Sequence, residues 1–190
     1  MSVRVVGGRF GGVPLKVPKT GNLRPTQDRV REALFNILCG DIPGCDFLDL
    51  FAGTGAVGIE ALSRGAKSAT FVERDRRHLA VLKANVEAVA GGCEWRSVTA
   101  DAYAWIASYA GPGFSVAFAD PPYALGEDRG YAHVLSTLAE RGVVRPGGVF
   151  VAEMTAVQGP AEAPGWELLR DRTYGKTRLC VWRRAAAPTP

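Results

Sequence analysis

From residue 46 onward, short apolar runs alternate with helical segments at a nearly constant interval, and few folds accommodate that pattern. The runs lie at 46–51 (Asp-Phe-Leu-Asp-Leu-Phe), 69–73, 94–99, 114–119 (Phe-Ser-Val-Ala-Phe-Ala) and 148–153. Helical spacing predicts segments near 56–64, 75–89, 101–109 and 130–141 between and after them. Strands alternating with helices of this length imply an α/β fold of the Rossmann-like kind, a parallel sheet covered on both faces. After Pro164-Gly165 the pattern changes to two runs, 166–172 and 177–183, joined by Tyr174-Gly175-Lys176. That is a hairpin, so the sheet is expected to finish antiparallel. Residues 2–18 read as a second hairpin around Gly7-Gly8-Arg9-Phe10-Gly11-Gly12. A helix near 27–39 follows, with Thr26 as N-cap and an apolar stripe of Val30, Leu34, Ile37 and Leu38. The expected division is an N-terminal hairpin extension over 1–22, a core domain over 23–184 and a disordered tail over 185–190.

A chain of 190 residues, 47% of them apolar and 22% charged, has the size and composition of one soluble globular domain. No apolar run approaches the roughly 18–20 residues a bilayer span requires, and the start of the chain has no signal-peptide pattern. Cys39, Cys45, Cys93 and Cys180 form no C-x-x-C pair, and only His78 and His133 accompany them. This speaks against a metal site and for reduced thiols in a cytoplasmic protein. The net charge of +4 is unevenly spread. Residues 1–31 carry Arg4, Arg9, Lys16, Lys19, Arg24, Arg29 and Arg31 against one acid, Asp28, and Arg170 to Arg184 holds six cations against Asp171. The two blocks flank a neutral middle, so they can meet on one face and suit a polyanion.

The strongest glycine signal, Asp49-Leu-Phe-Ala-Gly53-Thr-Gly55-Ala-Val-Gly58, lies where the first strand of the alternation gives way to a helix. Glycines there allow a sharp turn and a close backbone approach to a ligand at a helix N-terminus. Glu73 ends the next strand, where a carboxylate accepts both hydroxyls of a ribose, so a nucleoside-binding site is expected. Asp49 opposes a pyrophosphate but suits a ligand with a cationic ammonium or sulfonium. Asp101, after the third strand, is placed to accept from an adenine amino group and equally to cap the following helix.

Asp120-Pro121-Pro122-Tyr123 follows the fourth strand, where open parallel sheets carry their reactive loops. The exocyclic amino group of a nucleic-acid base is a poor nucleophile because its lone pair is conjugated with the ring. Asp120 and the Pro121 carbonyl can accept its two hydrogens, and Tyr123 can stack on the base. Methyl transfer from a sulfonium is then helped by positioning and electrostatics. The base must leave its stack, so an unpaired or flipped nucleotide is expected.

The glycine loop followed by Asp-Pro-Pro-Tyr resembles the amino-methyltransferases of DNA and RNA. More narrowly, the chain resembles the bacterial family that methylates guanine N2 in 16S ribosomal RNA of the small subunit. The residues carrying this are Arg4-Val-Val-Gly-Gly8, Arg24-Pro-Thr-Gln-Asp28-Arg-Val-Arg-Glu32-Ala-Leu-Phe-Asn36, the glycine loop, Gly58-Ile-Glu-Ala-Leu-Ser-Arg-Gly65 and Asp120–Tyr123. The likeness runs from residue 4 to about 183. It implies a class I methyltransferase sheet and S-adenosyl-L-methionine as cofactor, with Asp49, Gly53 and Gly55 along its methionine part. Glu73 would take the ribose, and Asp101 the adenine with Ala102 nearby. Phe51 and Arg74, adjoining these, complete the set with Asp120. Arg24 and Thr26 stand in a block that resembles the segment closing over the cofactor in that family, and Arg29 and Arg31 would face RNA. Asp120, Pro121, Pro122 and Tyr123 would be catalytic, and the substrate the assembled or assembling small subunit.

Three readings compete. An NAD-dependent dehydrogenase shares the glycine loop but would not place Asp49 and Asp-Pro-Pro-Tyr as here, and no Tyr-x-x-x-Lys pair is evident. A non-catalytic RNA-binding assembly factor would not need the intact Asp120–Tyr123 loop. A DNA adenine-N6 enzyme uses the same loop chemistry but usually carries an added target-recognition domain.

Overall fold

The computed structural model describes residues 3–18, 28–121 and 130–186. In chain order the first elements are β1 (Val3–Arg4), a single 3-10 turn (Gly8–Phe10), β2 (Pro14–Leu15) and α1 (Asp28–Ile37). The alternating part follows: β3 (Asp46–Leu50), α2 (Ala56–Ser63), β4 (Ser68–Glu73), α3 (Arg76–Ala90), β5 (Glu94–Thr99), α4 (Ala102–Ala107), β6 (Phe114–Ala119) and α5 (Tyr131–Glu140). The chain closes with β7 (Val144–Thr155), β8 (Trp166–Tyr174) and β9 (Thr177–Arg184). Each expected strand and helix is present. The 148–153 run starts earlier and ends later, as β7. The proposed N-cap Thr26 and residues 187–190 of the tail lie outside the described residues.

Seven strands form one sheet in the order β5-β4-β3-β6-β7-β9-β8, parallel from β5 to β7 and antiparallel at β9 and β8. The apolar runs of β3 and β6 are buried on both faces. On one side lie α1, α2 and α3, packed on Phe47, Phe71, Val116 and Phe118. On the other lie α4 and α5, packed on Leu48, Leu50, Ala117 and Phe150. Successive strands run outward from β3 through β4 to β5, and the chain then returns to the other side of β3 as β6. The gap between the ends of β3 and β6 is therefore a topological switch point, where ligands of open α/β sheets bind.

β1 and β2 pair in a separate two-stranded sheet that docks on the α1–α3 side. The docking is polar and buried. Glu60 of α2 is 0% exposed and accepts from the N–H groups of Val6 (2.6 Å) and Gly7 (2.8 Å) and from Arg64 Nε (2.7 Å). Ser63 donates to the Gly7 carbonyl and accepts from the Phe10 N–H. Gly8 has φ +74°, and a Cβ there would stand 2.1 Å from the Ser63 carbonyl oxygen, so a side chain is excluded. Arg31 does not face RNA. It is 0% exposed beneath the hairpin, donates to the Arg4 carbonyl and to Asp28 (2.9 Å), and lies 4.0 Å from Glu60. A buried guanidinium needs an anion and acceptors, and the hairpin and α2 supply both. Arg29 is exposed.

Candidate active site

The residues expected to act together come from four consecutive strand ends. β3 ends in the glycine loop, β4 in Glu73, β5 leads into Asp101, and β6 leads into Asp120 and Pro121. Gly53 and Gly55 both have positive φ (54° and 80°), and Gly55 is the N-cap of α2. Gly58 packs so closely on the sheet that a Cβ there would meet the Phe71 ring at 2.2 Å. Phe51 has φ +63°, the one described non-glycine residue in the left-handed region. Strain of this kind persists where the surroundings impose it, commonly at functional sites.

Asp49 lies under the loop, 1% exposed, and accepts from the Gly58 N–H at 2.9 Å. Its carboxyl is pushed up to about 7, mainly by burial, with the charge of Glu73 adding to this and the Gly58 hydrogen bond opposing it. Because the folded value exceeds the ordinary one near 3.8, this group favours the fold most at low pH. That contribution is lost as pH rises through about 7 and is level above. Asp49→Asn keeps an acceptor for Gly58 without a charge. Its stability relative to the wild type is expected to rise between pH 4 and pH 7.5 and then plateau, by about 2–4 kcal/mol at most. Ligand-free melting curves across that range test this.

Glu73, 7% exposed, accepts from the Gly53 N–H and the Asp75 N–H, each at 2.8 Å, and so fixes the loop against the end of β4. Asp101 is the N-cap of α4: one oxygen accepts from the N–H groups of Tyr103 and Ala104, and the other lies 3.9 Å from Arg74. Arg74 is itself largely exposed at the rim. Ala102 is buried at the first position of α4. Asp120 and Pro121 are half-buried at the end of β6. An apolar cleft lined by Phe51, Ala102, Tyr103, Pro121 and Tyr131 joins the loop of β3 to that of β6. The buried Tyr131 phenol is held well above its ordinary range, first by burial and next by the charge of Asp120. Arg24, Thr26, Pro122 and Tyr123 lie outside the described residues.

The sequence reading missed Asn85. It is 2% exposed, its carbonyl accepts from the Lys16 N–H (2.8 Å), and its amide donates to the carbonyls of Lys16 and Thr54 (both 3.0 Å). One side chain thus ties the exit of the N-terminal hairpin to the glycine loop. The available signal was an Asn on the apolar face of α3, among Leu79, Leu82, Val86 and Ala90. Asn85→Ala leaves these groups unpaired, so a loss of about 2–3 kcal/mol and a Tm about 5–10 °C lower are expected by calorimetry. The cysteines supply no activated nucleophile in the buried core, where burial pushes the thiols of Cys45 and Cys180 up to about 12 and about 11.

Known proteins are similar to this chain over nearly all of it. The chain is 35% identical over 185 residues to the Ribosomal RNA small subunit methyltransferase D of Escherichia coli (strain K12), covering 97% of this chain and 91% of that one. A structure from Escherichia coli described as a candidate methyltransferase superposes with a TM-score of 0.85 at 31% identity, over 98% of this chain and all of the other. A hypothetical protein of Thermus thermophilus does so with a TM-score of 0.77 at 36% identity, over 97% and 99%. The model of one family, described as Conserved hypothetical protein 95, matches residues 3–183, from the first strand of the hairpin into the end of β9. With that match spanning nearly the whole chain, the protein belongs to the Conserved hypothetical protein 95 family.

Proposed function

We propose that this chain is a ribosomal RNA methyltransferase that uses S-adenosyl-L-methionine to methylate the N2 amino group of a guanine in 16S rRNA of the small subunit. The observation that carries the reading is the convergence of Asp49, Glu73, Asp101 and Asp120 at four adjacent strand ends around the switch point.

The residues present fit the cofactor. A buried carboxylate with one hydrogen bond and a raised pKa, Asp49, is complemented by a ligand that brings positive charge. Glu73 and the outer oxygen of Asp101 offer acceptors for ribose hydroxyls and an adenine amino group, and the cleft between Phe51 and Ala102 offers an apolar slot for a ring. The cofactor, when bound, supplies an electrophilic methyl group on a sulfonium. Asp120 and the Pro121 carbonyl would accept the two hydrogens of the target amine, fixing it in line and raising electron density on nitrogen. Tyr123 would stack on the base, and the proton released on transfer would pass first to Asp120. Arg24 and Thr26 would close over the bound cofactor. The division into a hairpin extension over 1–22 and a methyltransferase domain over 23–184 belongs to the same reading, as does a cytoplasmic location. No described helix is long and apolar enough to cross a membrane.

The test is transfer of labelled methyl from S-adenosyl-L-methionine to small ribosomal subunits, naked 16S RNA and DNA in parallel, with the modified base identified. N2-methylguanine in the subunit is the expected product. Label confined to DNA adenine would leave the loop chemistry standing and overturn the RNA reading.

A further inference from the structure

The basic residues near the C-terminus separate into two groups once folded. Arg178 is held by both oxygens of Asp171 (2.6 and 2.5 Å), Arg183 bonds Asp41 at 3.0 Å, and Arg184 donates to the Val144 carbonyl. These three serve the fold. Arg170, Arg172 and Lys176 are exposed, and among the described residues none of them makes an ion pair. The two arginines reach only the carbonyls of the residues before them.

Register fixes where this second group points. Arg170 stands opposite Val181, Arg172 opposite Leu179 and Tyr174 opposite Thr177. Cross-strand partners share a face, and Leu179 and Val181 belong to the core that holds α1. The two arginines and the half-exposed Tyr174 therefore line the α1 side of the edge strand β8. Ala119 is level with Ala152, Ala152 with Cys180, and Cys180 with Asp171. Arg172 is thus level with Asp120, about 14 Å away across three strand spacings, and Tyr174 reaches about 10 Å beyond the end of β6. Two arginines without an ion pair among the described residues, their backbone positions about 6.7 Å apart on one face of the strand, then an aromatic ring and a lysine at the turn, make a track that leads to the reacting end of the sheet.

We propose that Arg170, Arg172, Tyr174 and Lys176 bind the RNA strand that continues from the target nucleotide, the cations on its phosphates and the Tyr174 ring against a base. The distance to Asp120 corresponds to about four stacked nucleotides at 3.4 Å each. Stacking on an aromatic together with cations along the backbone is how proteins hold unpaired strands. The inference rests on the RNA-methyltransferase reading above, and it gives that reading a second contact surface, apart from the cofactor residues.

The test compares the full-length wild type with the triple variant Arg170→Gln, Arg172→Gln, Lys176→Gln. The KM for small subunits is expected to rise at least about tenfold. The slope of log KM against log salt should fall by about 2, since each single-strand phosphate contact contributes about 0.7. Cofactor Kd and Tm should stay at wild-type values. Charges also guard edge strands against pairing. If the variant merely self-associates in gel filtration, with KM and salt slope unchanged, that guarding is the whole role and the proposal is overturned. A wild type that neither binds nor methylates any RNA overturns the underlying reading instead, and the two failures are told apart by the wild-type assay.

Discussion

Asp120→Ala is expected to lower methyl transfer by at least about 10³-fold, about 4 kcal/mol of transition-state stabilisation, while cofactor affinity stays within about threefold. The asymmetry follows from position. Asp120 stands past the end of β6, beside Pro121 and the cleft, whereas the loop-holding hydrogen bonds run from Gly53 and Asp75 to Glu73 and from Gly58 to Asp49. None of those bonds involves Asp120. On the proposed roles its removal takes away an acceptor for the amine and none of the hydrogen bonds that hold the glycine loop. Glu73→Ala should show the opposite pattern, because it deprives the Gly53 N–H of its partner and, on the proposed roles, a ribose of its acceptor. Its cofactor Kd should rise by at least about tenfold, about 1.4 kcal/mol or more. Titration calorimetry with the cofactor and single-turnover transfer on the same two variants decide the matter. Transfer that survives Asp120→Ala, or cofactor binding indifferent to Glu73→Ala, would refute the assignment of roles.

Glu60→Ala is expected to cost about 3–5 kcal/mol of stability, with Tm lower by about 10–15 °C. It removes an anion that is fully buried, strands two backbone N–H groups of the hairpin and the Arg64 guanidinium, and leaves the fully buried Arg31, 4.0 Å away, with Asp28 alone of its two described carboxylates. A buried guanidinium that keeps only one of its two carboxylates is under-compensated, a cost that a neutral side chain does not carry. The double variant Arg31→Met, Glu60→Leu should therefore recover part of the loss in Tm. Hydrogen exchange localises the effect, and Val6 and Gly7 should lose protection before the central strands do. Unchanged protection at those two amides in Glu60→Ala would show that the ion cluster does not hold the hairpin.

What the sequence determined was the set of features encoded over a few neighbouring residues. Runs such as Phe114–Ala119 are apolar at every position because both faces of a central parallel strand are covered, and that is visible without knowing the partners. Positive φ at Gly53 and Gly55, the cap at Asp101 and the acid at the end of β4 are likewise local consequences of residue type. The candidate acids could be assigned to strand ends for the same reason, but the alternation leaves the order of the strands open, and only the folded sheet sets those ends side by side.

Tertiary structure decided what depends on partners far along the chain. Arg31 reads as a solvated cation on α1, and nothing within a helical turn or two of it announces a carboxylate at residue 60. Burial followed from the hairpin covering both. The Arg4-Val-Val-Gly-Gly8 and Gly58–Gly65 motifs carry the family resemblance in the sequence, but only folding reveals that they are two halves of one contact. Asn85 joins Lys16 to Thr54 across 69 and 31 residues of chain. The six C-terminal cations look alike until the fold brings Asp171 to Arg178, Asp41 to Arg183 and the Val144 carbonyl to Arg184, and leaves the other three without an ion pair among the described residues. The physical reason is common to all four. The cost of burying a charge or an amide depends on which acceptors the fold brings within about 3 Å, and sequence distance carries no information about that.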